Sequence, residues 1–197
     1  MKEINKFFYK TIFLIFFMFS VSAENQVLSI GSSNAKITIK VFSSLTCPHC
    51  ASFHSKVYEK LKIEYIDKGL VKFEHHAFPL DLAALNAEVI VRCQDNNEKK
   101  FKFLTDIYNK QTAWAVGSDI DKINELIKKI GLNNNLNNKQ MDTCLKNDKI
   151  QDKILEQRIE AQKKYKIEST PTLIIDEKKY SGKFDYKQFK KFIDKKL

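Results

Sequence analysis

The 197-residue sequence has few of the residues that interrupt regular structure: five glycines and three prolines, against 15 phenylalanines. A loop-rich scaffold is therefore excluded, and a packed core is expected. Hydrophobic residues make up 43% of the chain and charged residues 29%, which is typical of a folded globular protein and not of a disordered one. The length suits one domain, or one domain that carries an insertion.

The sequence also lacks internal repeats and long blocks of one charge. Its formal net charge is +10, but the lysines are spread along the whole chain and interleaved with acidic residues. A nucleic-acid-binding protein would be expected to concentrate its basic residues on one segment or face. We interpret the charge as a solvated lysine-rich surface, and we expect no nucleic-acid partner.

The first 23 residues have the layout of a secretory signal peptide. Lys2, Lys6 and Lys10 form a basic start, residues 11–19 are almost wholly apolar, and small residues end the segment at Val21-Ser22-Ala23. The alternative, an uncleaved anchor helix, would need an apolar run of roughly 20 residues, about twice the one present. We therefore expect cleavage after Ala23 and an exported, periplasmic protein.

The rest of the chain predicts an α/β domain that is split by helices. Strands at 37–42 and 71–78 flank a helix at 51–67, an arrangement that implies a parallel pair of strands. Residues 82–165 carry only helical patterns, with five predicted helices. A strand at 172–175, a return strand at 179–181 and a closing helix at 185–197 follow. The predicted domain is residues 24–81 and 166–197, and the helical insertion is 82–165.

The motif Cys47-Pro48-His49-Cys50 lies where the first strand gives way to the helix. A helix N-terminus presents unpaired N–H groups and the positive end of the helix dipole, which stabilise an anion such as a Cys47 thiolate. Pro48 fits the first helical turn, and His49 can add charge or a hydrogen bond. Because a stabilised thiolate makes the disulfide more oxidising, we expect Cys47 to be the exposed, reactive sulfur and Cys50 to be the shielded, resolving one.

Two other interpretations of the motif remain open. A pair of cysteines at this spacing is half of a zinc ribbon, with His49 or His54 as a further ligand, but no second pair completes four ligands at the usual spacing. The pair could also form an inert structural disulfide in a non-enzymatic binding module. We expect no metal ion and no cofactor.

Together, Cys47-Pro48-His49-Cys50 and the distant Thr170-Pro171-Thr172 resemble the motif pair of the thioredoxin superfamily. The helical block between them resembles the DsbA branch, the periplasmic disulfide oxidases, as do Phe78-Pro79-Leu80-Asp81 and Lys179-Tyr180-Ser181-Gly182. The resemblance covers the chain from about residue 37 to the end. It implies a thioredoxin fold with an inserted all-helical domain, and a protein that donates its disulfide to exported proteins with free cysteines.

The resemblance also implies roles for particular residues and partners. Pro171 should form a cis peptide bond facing the cysteines, and Thr170 should offer backbone hydrogen bonds to a substrate strand. A quinone-linked membrane protein of the DsbB kind would restore the disulfide. An isomerase or a reductase of the same fold is the alternative. The isomerase branch has an extra dimerisation domain at its start, whereas here only residues 24–36 precede the first strand, which favours a monomeric oxidase.

Some relatives carry a second disulfide in the helical part, and Cys93 and Cys144 could form it here. The alternative is two buried free thiols. Superfamily members also often have a buried acid on the strand before the motif, but this position is near Val41, which is apolar. We therefore assign the usual proton-transfer role to no residue. We expect His54 to be a packed histidine, and His75 and His76 to point to opposite faces of a strand.

Overall fold

A mixed five-stranded sheet forms the centre of the molecule. The computed structural model describes residues 27–197, so the predicted signal peptide lies outside the described residues. The strands are β1 (Leu28–Ile30), β2 (Ile37–Ser43), β3 (Val71–Ala77), β4 (Thr172–Ile175) and β5 (Lys178–Lys179). Their order in the sheet is β1-β3-β2-β4-β5. The predicted parallel pairing of β2 with β3 is confirmed, and the other neighbours are antiparallel.

The strand predictions miss details at both edges of the sheet. The three-residue strand β1 was not predicted, because it is too short to show a periodic pattern and is defined by its pairing with β3. The return strand β5 begins at Lys178, one residue before the predicted start. The turn before it consists of Asp176 and Glu177, both with positive φ (48° and 64°), which suits a two-residue hairpin turn.

The helix after the motif departs from α-helical geometry in two places. It runs as α1 (Pro48–Phe53), a π-helical segment (His54–Tyr58), α2 (Glu59–Leu61) and a second π-helical segment (Lys62–Ile66). Its apolar residues recur every four positions, and this spacing would drift around a regular α-helix of 3.6 residues per turn. Because π turns contain more residues, they keep this stripe facing the core. Its members Phe53, Val57, Leu61 and Tyr65 are all buried.

The insertion contains six helices, one more than predicted. They are α3 (Leu82–Arg92), α4 (Asn97–Asn109), α5 (Gln111–Trp114), α6 (Ile120–Leu132), α7 (Asn138–Leu145) and α8 (Asp148–Tyr165), and α9 (Tyr186–Asp194) closes the chain. The missed helix, α5, has only four residues. Asp119 caps α6, because its carboxylate accepts hydrogen bonds from the N–H groups of Asp121 and Lys122.

Alternation along β2 divides the core between the two faces of the sheet. Ile39 and Val41 belong to the cluster that contains both motif cysteines and Phe189 of α9. Phe42 points to the other face, where it packs with Ala161 of α8. Among residues 27–197, no helix is both long and apolar enough to cross a membrane.

A disulfide ties two helices of the insertion together. Cys93, at the end of α3, is bonded to Cys144 of α7, with Cα atoms 6.2 Å apart and a sequence separation of 51. A bond that closes a loop of this length restricts the unfolded chain much more than the folded one. Its expected contribution is therefore to the stability of the insertion.

Replacing both cysteines, Cys93→Ser with Cys144→Ser, should lower the free energy of unfolding by about 4 kcal/mol on the chain-entropy account. The measurement is denaturant unfolding followed by the fluorescence of the buried Trp114. Cys93→Ser alone is the matched control, since it breaks the same bond and should lose the same stability. An unchanged unfolding free energy in both variants would contradict a stabilising role.

Candidate active site

Cys47 lies at the start of α1, immediately after the turn that follows β2. It is the N-cap residue, with φ −80° and ψ 118°, and Pro48 occupies the first helical turn. The carbonyl oxygen of Cys47 accepts hydrogen bonds from the N–H groups of Cys50 (3.1 Å) and Ala51 (3.2 Å). The Cys47 side chain makes no capping hydrogen bond, so its sulfur is left at the positive end of the helix.

A loop from the far end of the chain faces this sulfur. The Thr170–Pro171 peptide bond is cis, and the carbonyl oxygen of Thr170 lies 3.4 Å from Cys47 Sγ. The buried Thr170 hydroxyl has no partner within ordinary hydrogen-bond geometry, but it lies close enough to both thiols to lower the pKa of each. The structure therefore brings together both parts of the predicted motif pair, 123 residues apart.

The pKa of the Cys47 thiol is lowered to about 5. The largest cause is a hydrogen bond from the Cys50 thiol. The Thr170 hydroxyl and the backbone N–H groups of Cys50 and His49 add to it, while burial opposes the shift. The His49 side chain itself is exposed. The contribution of His49 to the thiolate thus comes from its backbone, whereas the sequence suggested its imidazole.

The second thiol behaves in the opposite way. Burial, first of all, raises the pKa of Cys50 far above its ordinary value, and the hydrogen bond to Cys47 and the charge there add to this. Cys50 is 1% exposed and Cys47 7%. Cys47 is less open than predicted, because the Thr170 loop lies against it. Ionisation at neutral pH therefore favours one sulfur of the pair, Cys47.

Two residues that hold the motif in place were not predicted from the sequence. Gln111 of α5 donates from its side-chain amide to the carbonyl oxygens of Leu45 (2.6 Å) and Cys47 (3.1 Å). Asp81 caps α3 and accepts a hydrogen bond from the Thr46 hydroxyl at 2.8 Å. Asp81 carries a recognisable signal, an acid just before an apolar helix. Nothing in the sequence marks Gln111.

The remaining histidines are buried or paired elsewhere. His54 lies 2.9 Å from the hydroxyl of Thr105, and burial lowers its pKa to about 3. His75 and His76 point to opposite faces of β3, where they contact Glu88 and Glu74 respectively. Over residues 27–197, no three His, Cys, Asp or Glu side chains are grouped so that they could hold a metal ion.

In this site a strand leads into a helix that carries two thiols at its start, and a cis-proline loop faces them. This arrangement defines a thioredoxin-fold protein, and here the fold carries an inserted helical domain. The chain belongs to the thioredoxin family, whose model matches residues 22–195. The sequence-based assignment of the fold is therefore confirmed.

Solved and curated proteins support the narrower resemblance to DsbA. The crystal structure of alpha-DsbA1 from Wolbachia pipientis superimposes with a TM-score of 0.81 at 29% identity, covering 86% of this chain and 90% of that one. Disulfide bond formation protein D of Bacillus subtilis is 27% identical over 178 residues, which are 85% of this chain and 76% of that protein. A Rickettsia bellii protein, provisionally named a protein-disulfide oxidoreductase, is 28% identical over 158 residues. The chain spans 59% of the length of this Rickettsia relative.

The lowered pKa of Cys47 predicts how its reactivity depends on pH. Alkylation of the reduced protein by iodoacetamide should reach half its maximal rate near pH 5, since the thiolate is the reacting species. Cys50→Ala keeps only one of the two thiols and should raise this midpoint, because the alanine side chain cannot donate the hydrogen bond that Cys50 gives to the Cys47 thiolate. A midpoint near 8.5, the value of a free cysteine, would contradict the described electrostatics.

The same shift predicts the pH dependence of stability. The folded-state pKa lies below the unfolded-state value of about 8.5, so the Cys47 thiolate stabilises the reduced fold fully above that pH. This contribution should decline as the pH falls and disappear below about 5. Denaturant unfolding of the reduced protein at several pH values measures it. Cys47→Ser is the control, and its stability should lack this component.

Proposed function

We propose that the protein is a thiol–disulfide oxidoreductase that donates the Cys47–Cys50 disulfide to newly exported proteins. The observation that carries the proposal is the position of Cys47 Sγ, at a helix start and 3.4 Å from the Thr170 carbonyl oxygen, where the surrounding groups lower the pKa of the thiol. A stable thiolate stabilises the reduced form, so the disulfide form is a strong oxidant that readily passes its bond to other proteins. The similarity to proteins named for disulfide bond formation supports this direction.

The proposed reaction has two exchange steps. A substrate thiolate attacks Cys47 Sγ, the Cys47–Cys50 bond breaks, and Cys50 leaves with the electron pair and takes up a proton. A second substrate thiolate then attacks the substrate sulfur of the mixed disulfide, and Cys47 leaves as a thiolate. The substrate loses two electrons and the protein gains them. The low pKa of Cys47 makes it a good leaving group in the second step.

The residues around the cysteines have different roles in the proposed reaction. Pro48 and the backbone N–H of His49 hold and stabilise the thiolate at the helix start. Thr170 and Pro171 orient the substrate: the Thr170 carbonyl lies next to Cys47, where the backbone of an extended substrate segment can pair with it. Such backbone pairing is independent of substrate sequence, which suits a protein that acts on many exported chains.

The setting of the reaction follows from the same proposal. We place the protein outside the cytoplasm, in the periplasm, after cleavage of residues 1–23. There an oxidising environment lets disulfides persist, including Cys93–Cys144. Because each turnover leaves the cysteines reduced, a reoxidising partner is needed, and we propose a quinone-linked membrane protein of the DsbB kind. The protein acts as a monomer.

The reduction potential of the Cys47–Cys50 pair tests the proposal directly. Equilibration with glutathione followed by thiol labelling should give a value near about −120 mV, that of a strong oxidant. A value near about −270 mV would instead mark a reductant and remove the oxidase function. In parallel, the oxidised protein should reactivate a reduced, unfolded disulfide-containing enzyme. Cys47→Ser should abolish this activity, while replacement of Cys93 and Cys144 should leave it in place.

A further inference from the structure

Gln111 of α5 reaches from the insertion into the turn that precedes the motif helix. Its side-chain amide nitrogen donates to the carbonyl oxygens of Leu45 (2.6 Å) and Cys47 (3.1 Å). Because a carbonyl oxygen can only accept, the two bonds use both hydrogens of the amide nitrogen. Gln111 is 6% exposed and Leu45 is 0% exposed, so the contact is shielded from water. The donors of this amide are therefore committed to the motif turn.

The carbonyl groups that Gln111 binds belong to the turn that sets the position of Cys47. The turn is closed by the N–H of Cys47, which donates to the carbonyl oxygen of Ser44 at 3.1 Å. The Cys47 carbonyl oxygen also accepts from the N–H groups of Cys50 and Ala51, which are the first hydrogen bonds of α1. Gln111 thus binds the chain at the point where the turn becomes a helix.

The direction of the Cys47 sulfur depends on the orientation of the Cys47 carbonyl group. The side chain and the carbonyl group are attached to the same Cα atom, so a fixed carbonyl leaves the sulfur only the rotation about the Cα–Cβ bond. In the present orientation the backbone N–H groups of His49 and Cys50 act on Sγ, and the Thr170 carbonyl oxygen lies 3.4 Å from it. A rotation of this backbone would move the sulfur away from the N–H groups that stabilise its negative charge.

The insertion fixes Gln111 itself, although α5 has only four residues. The indole N–H of Trp114 donates to the carbonyl oxygen of Ile107 in α4 at 2.9 Å, and Trp114 is 0% exposed. The carbonyl oxygen of Gln111 accepts from the N–H of Ala115 at 2.9 Å. The backbone of Gln111 is therefore held by contacts within the insertion, and its side chain carries this constraint to the motif.

The contact with Gln111 matters most when the cysteines are reduced. In the disulfide form, the covalent Cys47–Cys50 bond holds the Cys47 sulfur against α1. In the reduced form only non-covalent contacts hold it, and the thiolate depends on the N–H groups at the helix start. A side chain that fixes this orientation therefore stabilises the reduced form more than the oxidised form. A more stable reduced form makes the disulfide a stronger oxidant.

We propose that Gln111 is a positioning residue: through it, the insertion keeps the Cys47 sulfur aligned with the helix start and increases the oxidising strength of the Cys47–Cys50 pair. This inference rests on the proposed function, because it concerns the same two sulfurs. Gln111 takes no part in the exchange and acts through the backbone carbonyl group of Cys47. An apolar side chain could fill the same space, but it would leave two carbonyl groups without this donor.

Gln111→Met tests this role, because methionine has a similar length but cannot donate a hydrogen bond to either carbonyl group. The midpoint of iodoacetamide alkylation of Cys47 should rise by about one pH unit, which means an about tenfold smaller thiolate fraction at pH values below both midpoints. In equilibrium with glutathione at pH 7, the ratio of disulfide to reduced form should increase about tenfold. This corresponds to a reduction potential about 30 mV more negative.

Gln94→Met is the matched control, since it removes the same kind of buried hydrogen bond elsewhere. Gln94 is 5% exposed, and its amide nitrogen donates to the carbonyl oxygen of Asn134 at 2.6 Å. Both residues belong to the insertion, so this bond does not involve the motif. The variant should lower the free energy of unfolding, as Gln111→Met should. It should nevertheless keep the alkylation midpoint and the reduction potential of the unmodified protein.

Gln111→Asn keeps the test decisive if the methionine variant does not fold. Asparagine retains the amide, but its side chain is one methylene group shorter and cannot reach both carbonyl groups. It should move the alkylation midpoint and the reduction potential in the same directions as Gln111→Met.

The inference is overturned if Gln111→Met, or Gln111→Asn in its place, keeps the midpoint and the potential of the unmodified protein. It is also overturned if Gln94→Met shifts both to the same extent, because the effect would then be a general loss of packing. Failure of the proposed function looks different: the unmodified protein itself would have a potential near about −270 mV. The difference between it and the Gln111 variants would still be measurable in that case.

Discussion

The site depends on one pairing, the antiparallel ladder between β2 and β4. Val41 pairs with Leu173 and Phe42 with Thr172, so the end of β2 lies beside the start of β4. Cys47 follows the end of β2, and Thr170–Pro171 precedes the start of β4. The ladder therefore holds a sulfur and a carbonyl group from opposite ends of the domain within 3.4 Å. Any slip in this register would move the two apart and remove the surface on which we propose that a substrate pairs.

The insertion is part of the site as well as a cover for it. Gln111 of α5 donates hydrogen bonds to the carbonyl groups of Leu45 and Cys47. Asp81 links the start of α3 to Thr46. Tyr108 and Glu88 extend the buried polar groups of the sheet into α4 and α3. Six helices between two halves of a sheet thus fix the geometry of the motif from the side that the sheet does not reach. Two residues anchor the short α5 in the interior, since Gln111 and Trp114 are buried while Thr112 and Ala113 between them are exposed.

The two thiols show how position alone separates chemically identical groups. Cys47 and Cys50 are three residues apart, yet hydrogen bonds at the helix start lower the pKa of Cys47 while burial raises that of Cys50. Each thiol supports the shift of the other, because the Cys50 hydrogen bond stabilises the Cys47 thiolate and the resulting charge disfavours a second one. One sulfur is thus prepared to leave or attack as a thiolate, and the other is held as a thiol. This difference between the two thiols supports the proposed direction of exchange.

The local pattern of the chain was enough to predict the larger elements and the place of the Cys47–Cys50 motif, at the start of a helix that follows a strand. Alternating β-branched residues mark β2, the absence of strand patterns marks residues 82–165 as helical, and Cys47-Pro48-His49-Cys50 after a strand marks a thiol site. These predictions succeed because periodicity and helix capping depend on neighbours in the sequence. The four-residue helix α5 and the three-residue strand β1 were missed, since neither is long enough to show a period.

Only the tertiary structure decided which distant groups meet. The sequence does not show that Gln111 binds the carbonyl of Cys47, that His75 lies opposite Val41, or that Glu88 is fully buried behind it. These contacts depend on strand register and on the packing of the insertion against the sheet, which no local pattern encodes. The pKa values of the two cysteines were likewise decided by the tertiary structure, because burial and hydrogen bonding are properties of the folded surroundings. The sequence by itself determined the kind of chemistry at the motif, and the fold decided which sulfur carries the charge and which side chains surround it.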